Sequence, residues 1–344
     1  MANILEARVT AKNVREYWEA DTNRSPYLGE VFFPSRTQKG LKFSYLKGKQ
    51  GLPVALVSAN WNTDVLYRDR SGIMELSSKL PYFKEAYAID EELRQEILTA
   101  KEEYAVQLFS QVFDDTNALL DGADVAVERM RMQLLSQGTI AVQENGVDKA
   151  YDYGFDGQKQ SVTETTLWSA SGATPFASVV ARKKAYKKLT KKEAKYAVFG
   201  SEAFEKLASD SSIIDYFSKL PVPNLAPTDD EIKTYLERRL GLTIFVNDKE
   251  YLKARDFNGT PIPFYPSDRY TLLASLDLGE TIYGTTPEAI DLTSGGALSV
   301  EVMANNVTIT TWKEVDPVNV NVKVSEVVAP SCPAIDQIYI VKVL

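Results

Sequence analysis

A chain of 344 residues, 44% of them hydrophobic, can bury a substantial core and is long enough for about two domains. Its 39 basic and 47 acidic residues leave a net charge of -8, which keeps it dispersed in water and excludes a body coated in nucleic-acid-binding charge, so any basic function is local. The single cysteine, Cys332, excludes an internal disulfide and a multi-cysteine zinc site, and the absence of histidine removes Ser-His and Cys-His nucleophile systems together with the commonest metal ligand.

The N-terminal MANILEARVTAKNVREYWEAD has charges throughout and no apolar block, so it predicts neither a signal peptide nor a membrane anchor, and no later run approaches the ~18 apolar residues of a membrane span. Residues 5 to 20 predict a short helix with Leu5, Val9, Val14 and Tyr17 loosely on one face. From Ser25 to Gln50 the composition shifts to two prolines, three glycines and five basic residues against the single acid Glu30. Its apolar residues, Phe32, Phe33, Leu41, Phe43, Tyr45 and Leu46, are too few and too interrupted to close a core, so this stretch is expected to lie as an arm or loop on something else. Residues 53 to 74 return to strand-like and turn-like chemistry, and Pro81 marks an element boundary.

Asp90 is a fair N-cap for a long helix, with Glu91 and Glu92 in its first turn. Leu93, Ile97, Ala100, Tyr104, Leu108 and Val112 form one apolar stripe; Gly122 is the expected point of a bend, Val125, Ala126, Met130 and Leu134 resume the pattern, and Gly138 stops it. Run continuously from Asp90 to Gln137, such a helix spans about 70 Å. GTIAVQENGVDKAYDYGF then alternates about Asn145-Gly146, a strong hairpin signal. Between 174 and 195 lies a predicted helix with eight basic residues, Arg182, Lys183, Lys184, Lys187, Lys188, Lys191, Lys192 and Lys195, against Glu193. YAVFGSEAFEKLASD reads as a strand followed by a helix with Phe204 and Leu207 inward, and TDDEIKTYLERRLG as a helix capped by Thr228 or Asp229 and stopped by Gly241. LTIFVND, a hairpin about Asn258-Gly259 and YTLLASL supply further strands. The tail is strongly β: VTITTW, then VNVNVKVSEVVAP with Val318, Val320, Val322 and Val324 on one half-buried face, then QIYIVKVL. The strands from Val307 onward are expected to pack with the hairpin at Asn145-Gly146, because two strands alone are marginal.

Catalytic motifs are missing. Ser44-Tyr45-Leu46-Lys47 matches the S-x-x-K pattern of serine acyl-enzymes without its companion motifs, and no G-x-S-x-G, Walker-type or dinucleotide-binding loop occurs. The adjacent pairs Asp114-Asp115 and Asp229-Asp230 diverge on a helix. No catalytic, cofactor-binding or metal-binding residue is expected.

The order of parts carries a resemblance. SPYLGEVFFPSRTQKGLKF with its basic glycine-containing loop, the helix ending ERMRMQLLSQGTIAVQENG, then YAVFGSEAFEKL, PSDRYTLLASLDLGETIYG and the closing DPVNVNVKVSEVVAPSCPAIDQIYIVKV resemble, in that sequence, the lambda-type major capsid protein E family of tailed bacteriophages. The resemblance implies an α+β chain with the Hong Kong 97-like coat fold: an N-terminal arm (1–33), an extended β loop and its base (34–85), a peripheral domain with the spine helix and hairpin (86–165), an axial domain (166–304), and C-terminal strands returning to the peripheral domain (305–344). It implies a structural subunit of an icosahedral shell, built as hexamers and pentamers of a procapsid around double-stranded DNA, assembled in the host cytoplasm and ending in the virion. A separate scaffolding protein is implied, since the arm-like motif begins by Ser25 and leaves no room for a cleaved scaffolding segment. A portal protein is a second partner, a decoration protein is left open, and no membrane is involved.

Phe32, Phe33, Arg36, Lys39, Lys42, Phe43, Lys47 and Lys49 are the inter-subunit loop candidates. The loop lysines are also the amines from which some relatives form an isopeptide bond with a neighbour's asparagine. Arg182, Lys183, Lys184, Lys187, Lys188, Lys191 and Lys192 are candidates for non-specific contact with packaged DNA by phosphate neutralisation, against the plainer reading of a solvated charged face. Two alternatives stay open: an encapsulin-like compartment shell, and a DNA-binding protein acting through the basic helix.

Overall fold

A computed structural model describes residues 9–21, 26–48, 73–144, 147–219, 228–253, 259–292 and 298–344. Lys49, the Asn145-Gly146 turn and Asn258, on which expectations rest, lie outside them. In chain order the strands are β1 (Ser35–Thr37), β2 (Lys42–Gly48), β3 (Ile73–Lys79), β4 (Tyr82–Ile89), β5 (Thr139–Glu144), β6 (Val147–Asp152), β7 (Ser161–Thr163), β8 (Tyr196–Gly200) and β9 (Thr243–Asn247). There follow β10 (Glu250–Tyr251), β11 (Ile262–Pro263), β12 (Arg269–Leu273), β13 (Thr281–Tyr283), β14 (Ser299–Val302), β15 (Thr308–Lys313), β16 (Val320–Pro330) and β17 (Tyr339–Lys342). The chain divides into two compact units, each made of three segments: 1–43, 77–130 and 280–331 in the first, 44–76, 131–279 and 332–344 in the second.

The first unit is built on β16. β4 takes one edge of this long strand along Val320–Val327, β15 pairs with Val320–Ser325 and β13 with Val328–Pro330, and β14 extends the sheet beyond β15. β1 adds to β13 in parallel. The expected half-buried alternation of the valines is corrected here, because ten of the eleven β16 residues are buried. Paired on both edges and covered on both faces, the strand buries Asn321, Ser325 and Glu326 along with its valines. Val318 lies before the strand and is 39% exposed.

The long helix is two helices. Asp90 caps Glu91–Thr99, its carboxylate accepting the Leu93 N–H at 2.9 Å. That helix ends at Ala100, whose backbone is extended, and Glu102–Gln137 begins after it. The Thr99 hydroxyl donates to the carbonyl of Gln95 at 2.8 Å in the last turn before the break. Gly122, the expected bend, lies inside the second helix with open space around its Cα, so its cost is only the ~1 kcal/mol by which glycine is a poorer helix former than alanine. The buried stripe Leu108, Val112, Thr116, Leu120, Val127, Met130 and Leu134 runs nearly the helix's length, and Tyr104, expected inward, is 47% exposed. Gly138 ends it at φ +73, where an added Cβ would fall 2.2 Å from the Phe155 ring.

The second unit is a five-stranded sheet in the order β7-β17-β12-β8-β9, with β8–β9 and β7–β17 parallel and the rest antiparallel. Between parallel β8 and β9 the chain crosses through the helices Ser201–Ala208, Ser211–Ser218 and Asp229–Leu240. Thr228 caps the last of these in a full capping box with Glu231, and Gly241 stops it in the left-handed conformation, both as expected. Val179 and Tyr186 from Pro175–Thr190, Phe199 from β8, Leu236 and Leu240, Tyr270 and Leu272 from β12, and Tyr339 and Val341 from β17 form the core. Phe199 and Tyr270 stack at 4.8 Å. Thr271 Oγ1 donates to the Leu135 carbonyl at 2.8 Å and Arg269 Nη1 to that of Ser136 at 3.2 Å, satisfying carbonyls that the helix end leaves open.

The expected packing of the tail strands on the Asn145-Gly146 hairpin is also corrected. β5 and β6 pair only with each other among the described residues; β15 and β16 belong to the first unit's sheet and β17 to the second's. Each tail strand finds hydrogen-bond partners on both edges in a larger sheet, which a two-residue-turn ribbon does not offer.

Candidate functional surfaces

The N-terminal candidates separate into buried and exposed. Phe32 and Phe33 are 0% exposed within the single subunit, so they close its own core and leave no apolar surface for a neighbour. The sequence suggested otherwise because their partners are remote: Thr281 Oγ1 donates to the Phe33 carbonyl at 2.8 Å and the Thr281 N–H to that of Pro34 at 2.9 Å. Arg36 is exposed on β1 and paired with Glu280 at 2.8 Å, which raises its pKa. Lys39 and Lys42 are exposed with no salt bridge among the described residues. Phe43 and Lys47 belong to β2, which forms a two-stranded ribbon with β3.

Docking of the N-terminal segment uses a feature that went unread. Asp114, Asp121 and Glu128 recur every seven residues on the long helix, the spacing of one helical face. Each accepts a hydrogen bond from the N-terminal segment: Asp114 from the Tyr17 hydroxyl at 2.9 Å, Asp121 from Trp18 Nε1 at 3.4 Å, and buried Glu128 from the Gly29 N–H at 2.9 Å. The hydrogen bond to Asp114 raises the Tyr17 pKa, and burial followed by the charges of Asp124, Asp121 and Glu128 raises that of Tyr27. The seven-residue spacing was the available signal.

A second missed cluster lies in the first unit's sheet. Glu288 is 6% exposed, and its Oε1 accepts from Lys323 at 2.6 Å and from the Tyr82 hydroxyl. Burial alone would raise this carboxyl, but the two donors hold it below its ordinary value. Both donors converge on Oε1, and the buried Oε2 has no hydrogen-bond partner among the described residues.

The basic helix, Pro175–Thr190, is the most altered of the candidates. Arg182 is half-buried in a two-pronged pair with Glu164, Nε to Oε1 at 2.7 Å and Nη2 to Oε2 at 2.8 Å. The hydrogen bond from Arg182 is the main cause that lowers the Glu164 pKa, and the same bond raises that of Arg182. Lys183 caps Asp229–Leu240 by donating to the carbonyls of Leu240 and Gly241. Lys187 pairs with Glu193, and Lys191 takes the left-handed cap position with its amine on the Lys188 carbonyl at 2.8 Å. Lys184, Lys188 and Lys192 remain exposed without a salt bridge among the described residues. In the same unit, Ile214 and Tyr216 are 55% and 46% exposed, an apolar patch that sequence reasoning also missed. Among the described residues no group of three or more cysteine, aspartate or glutamate side chains is placed to hold a metal ion.

The family model described as phage major capsid protein E matches residues 10–343. The chain belongs to that family. It is a structural subunit of a phage capsid, assembled from many copies, and its place is the virion shell. Of solved structures, a protein assigned as the capsid protein of a prophage in E. coli CFT073 superposes with a TM-score of 0.61 at 13% identity, covering 98% of this chain and 99% of that one. A phage-related protein from Bordetella bronchiseptica RB50 gives 0.55 at 12% identity, covering 97% of both chains. These likenesses carry the fold, which is Hong Kong 97-like. No curated protein matches the capsid chain in sequence.

Proposed function

We propose that this capsid subunit is a non-enzymatic shell protein that closes into hexamers and pentamers of an icosahedral procapsid in the host cytoplasm, around double-stranded DNA. The family match from residue 10 to 343 carries this reading, because it spans both compact units. A separate scaffolding protein and a portal protein are the partners that such a closed container requires, the first to set its curvature and the second to admit DNA. A decoration protein on the outer surface is compatible with the same arrangement. The first unit, with the N-terminal segment, most of the long helix and the β16 sheet, is the proposed peripheral domain, and the second, with the basic helix and the β12 sheet, the proposed axial domain.

Electron microscopy of purified particles, with analysis of their nucleic acid and protein content, tests the reading. Shells with five-fold and six-fold capsomers are the expected result. A chain that stays a compact monomer across concentration, salt and addition of the phage's other head proteins overturns it. Shells that hold a folded enzyme and no DNA assign the encapsulin-like function instead.

A further inference from the structure

We propose that the exposed apolar face of the helix Ser211–Ser218 docks the lysine-rich end of Pro175–Thr190 from a second copy of this chain. The proposal rests on the shell-forming reading above and names a surface that this assembly uses.

The receiving face is already rigid. Ile213 is buried and anchors the helix, while Ile214 and Tyr216 stand out to solvent. Tyr216 stacks on Tyr235 of Asp229–Leu240 at 4.3 Å, and Phe217 meets the same ring edge-on at 5.4 Å. A stacked aromatic platform loses little side-chain entropy on being covered. The same two helices carry carboxylates: Asp215 between Ile214 and Tyr216, and Asp229 and Asp230 in the first turn of the helix that carries Tyr235. All three are exposed and make no salt bridge among the described residues.

The complementary surface is in the same unit. Lys184, Lys188 and Lys192 are exposed and unpaired in the same sense, and Leu189, 36% exposed, sits among them. The apolar side chain matches the platform and the amines match its carboxylates. These two surfaces do not meet within one copy. Lys183 is fixed to the carbonyls of Leu240 and Gly241, at the C-terminal end of Asp229–Leu240, whereas Asp229 and Asp230 lie at the opposite end, roughly 16 Å away at 1.5 Å per residue. Their charges are neutralised only in trans. A contact between two different patches of the same chain is head-to-tail, the kind that closes into rings when the rotation permits. Packaged DNA as the partner of the lysines would leave both the carboxylates and the aromatic platform without a counterpart.

The test is a charge exchange in the full chain. One variant carries Lys184→Glu, Lys188→Glu and Lys192→Glu; a second carries Asp215→Lys and Asp230→Lys; a third carries all five. For each, the concentration at which particles form is read by sedimentation, and folding by thermal melting followed with circular dichroism. Each single set should raise the threshold by at least about tenfold with the melting transition kept, and the combined set should return it to within about threefold of the original. A normal threshold in either single set, or a combined variant no better than its parents, overturns the proposal. So does a lysine variant that forms normal particles holding less nucleic acid, which would assign the lysines to DNA. Should a variant melt early, the unmodified chain decides: its threshold must rise between low and high salt, since the pairs are exposed and screened, and a flat response overturns the proposal. An unmodified chain that never forms particles counts against the shell-forming reading instead.

Discussion

Glu164 sits just past β7 with 11% of its side chain exposed, and its carboxylate receives Arg182 through two N–H groups and the Ser178 hydroxyl at 2.6 Å. Removing the negative charge by Glu164→Gln strands a half-buried guanidinium, so a loss of about 2–3 kcal/mol is expected, less than for a fully buried pair because Arg182 keeps some contact with water. Its folded-state pKa is lowered, mainly by Arg182. The stabilisation is therefore fully present above the unfolded value of about 4.3 and is lost as pH falls through the folded value. Melting temperatures of the wild type and Glu164→Gln, measured from pH 7 to pH 3, should converge at the acid end; a gap that stays constant would refute the assignment. Arg182→Glu, at a residue that the sequence offered for DNA contact, should instead destabilise the subunit. Gly200 offers a second test. A Cβ there would fall 2.3 Å from the Pro266 carbonyl oxygen and 2.6 Å from the Ser267 Cα, both backbone atoms with little room to move. Gly200→Ala should cost about 1–3 kcal/mol in chemical denaturation, and a neutral result would show that the loop yields freely.

At the scale of elements, the heptad of Asp114, Asp121 and Glu128 makes the N-terminal segment a ligand of its own long helix. Glu128→Ala leaves the buried Gly29 N–H without its acceptor, at a cost of about 1–3 kcal/mol. The loss should show as faster limited proteolysis between residues 26 and 34, with the second unit as resistant as before. Thr228→Ala removes the capping box of Asp229–Leu240 and should cost about 1 kcal/mol, while Thr228→Ser should restore most of it. Elements governed by local chemistry were legible in the sequence: the Asp90 and Thr228 caps, the Gly138 and Gly241 stops, and the strands of the tail. The break at Ala100 was not, because the apolar spacing runs on undisturbed through it and no proline or glycine marks it. β16 was legible as a strand and misjudged in burial, since its second covered face is polar and alternation reads a polar face as solvated.

For the molecule as a whole, the order of segments was enough to place the chain in its family, while the side-chain candidates fared unevenly. Phe32 and Phe33 looked unpartnered because Thr281 lies some 250 residues away, and Lys183 looked free because its acceptors are 57 and 58 residues on. Sequence pattern registers neighbours within a few residues and is blind to such pairs. The same long-range closure makes β17 indispensable: it lies between β7 and β12 inside the second unit's sheet. Deleting Cys332–Leu344 should abolish that unit's cooperative unfolding transition, and a soluble truncated protein with its transition intact would contradict the topology. Each unit is threaded from three separated stretches, and the first unit's sheet joins β4 to β16 across more than 200 residues. Closing loops of that length must precede any reward from pairing, so the subunit belongs among slow, topologically complex folders. Shell growth is then expected to draw on a supply of competent monomers metered by folding time, so that refolding, followed beside particle formation, is the slower of the two steps.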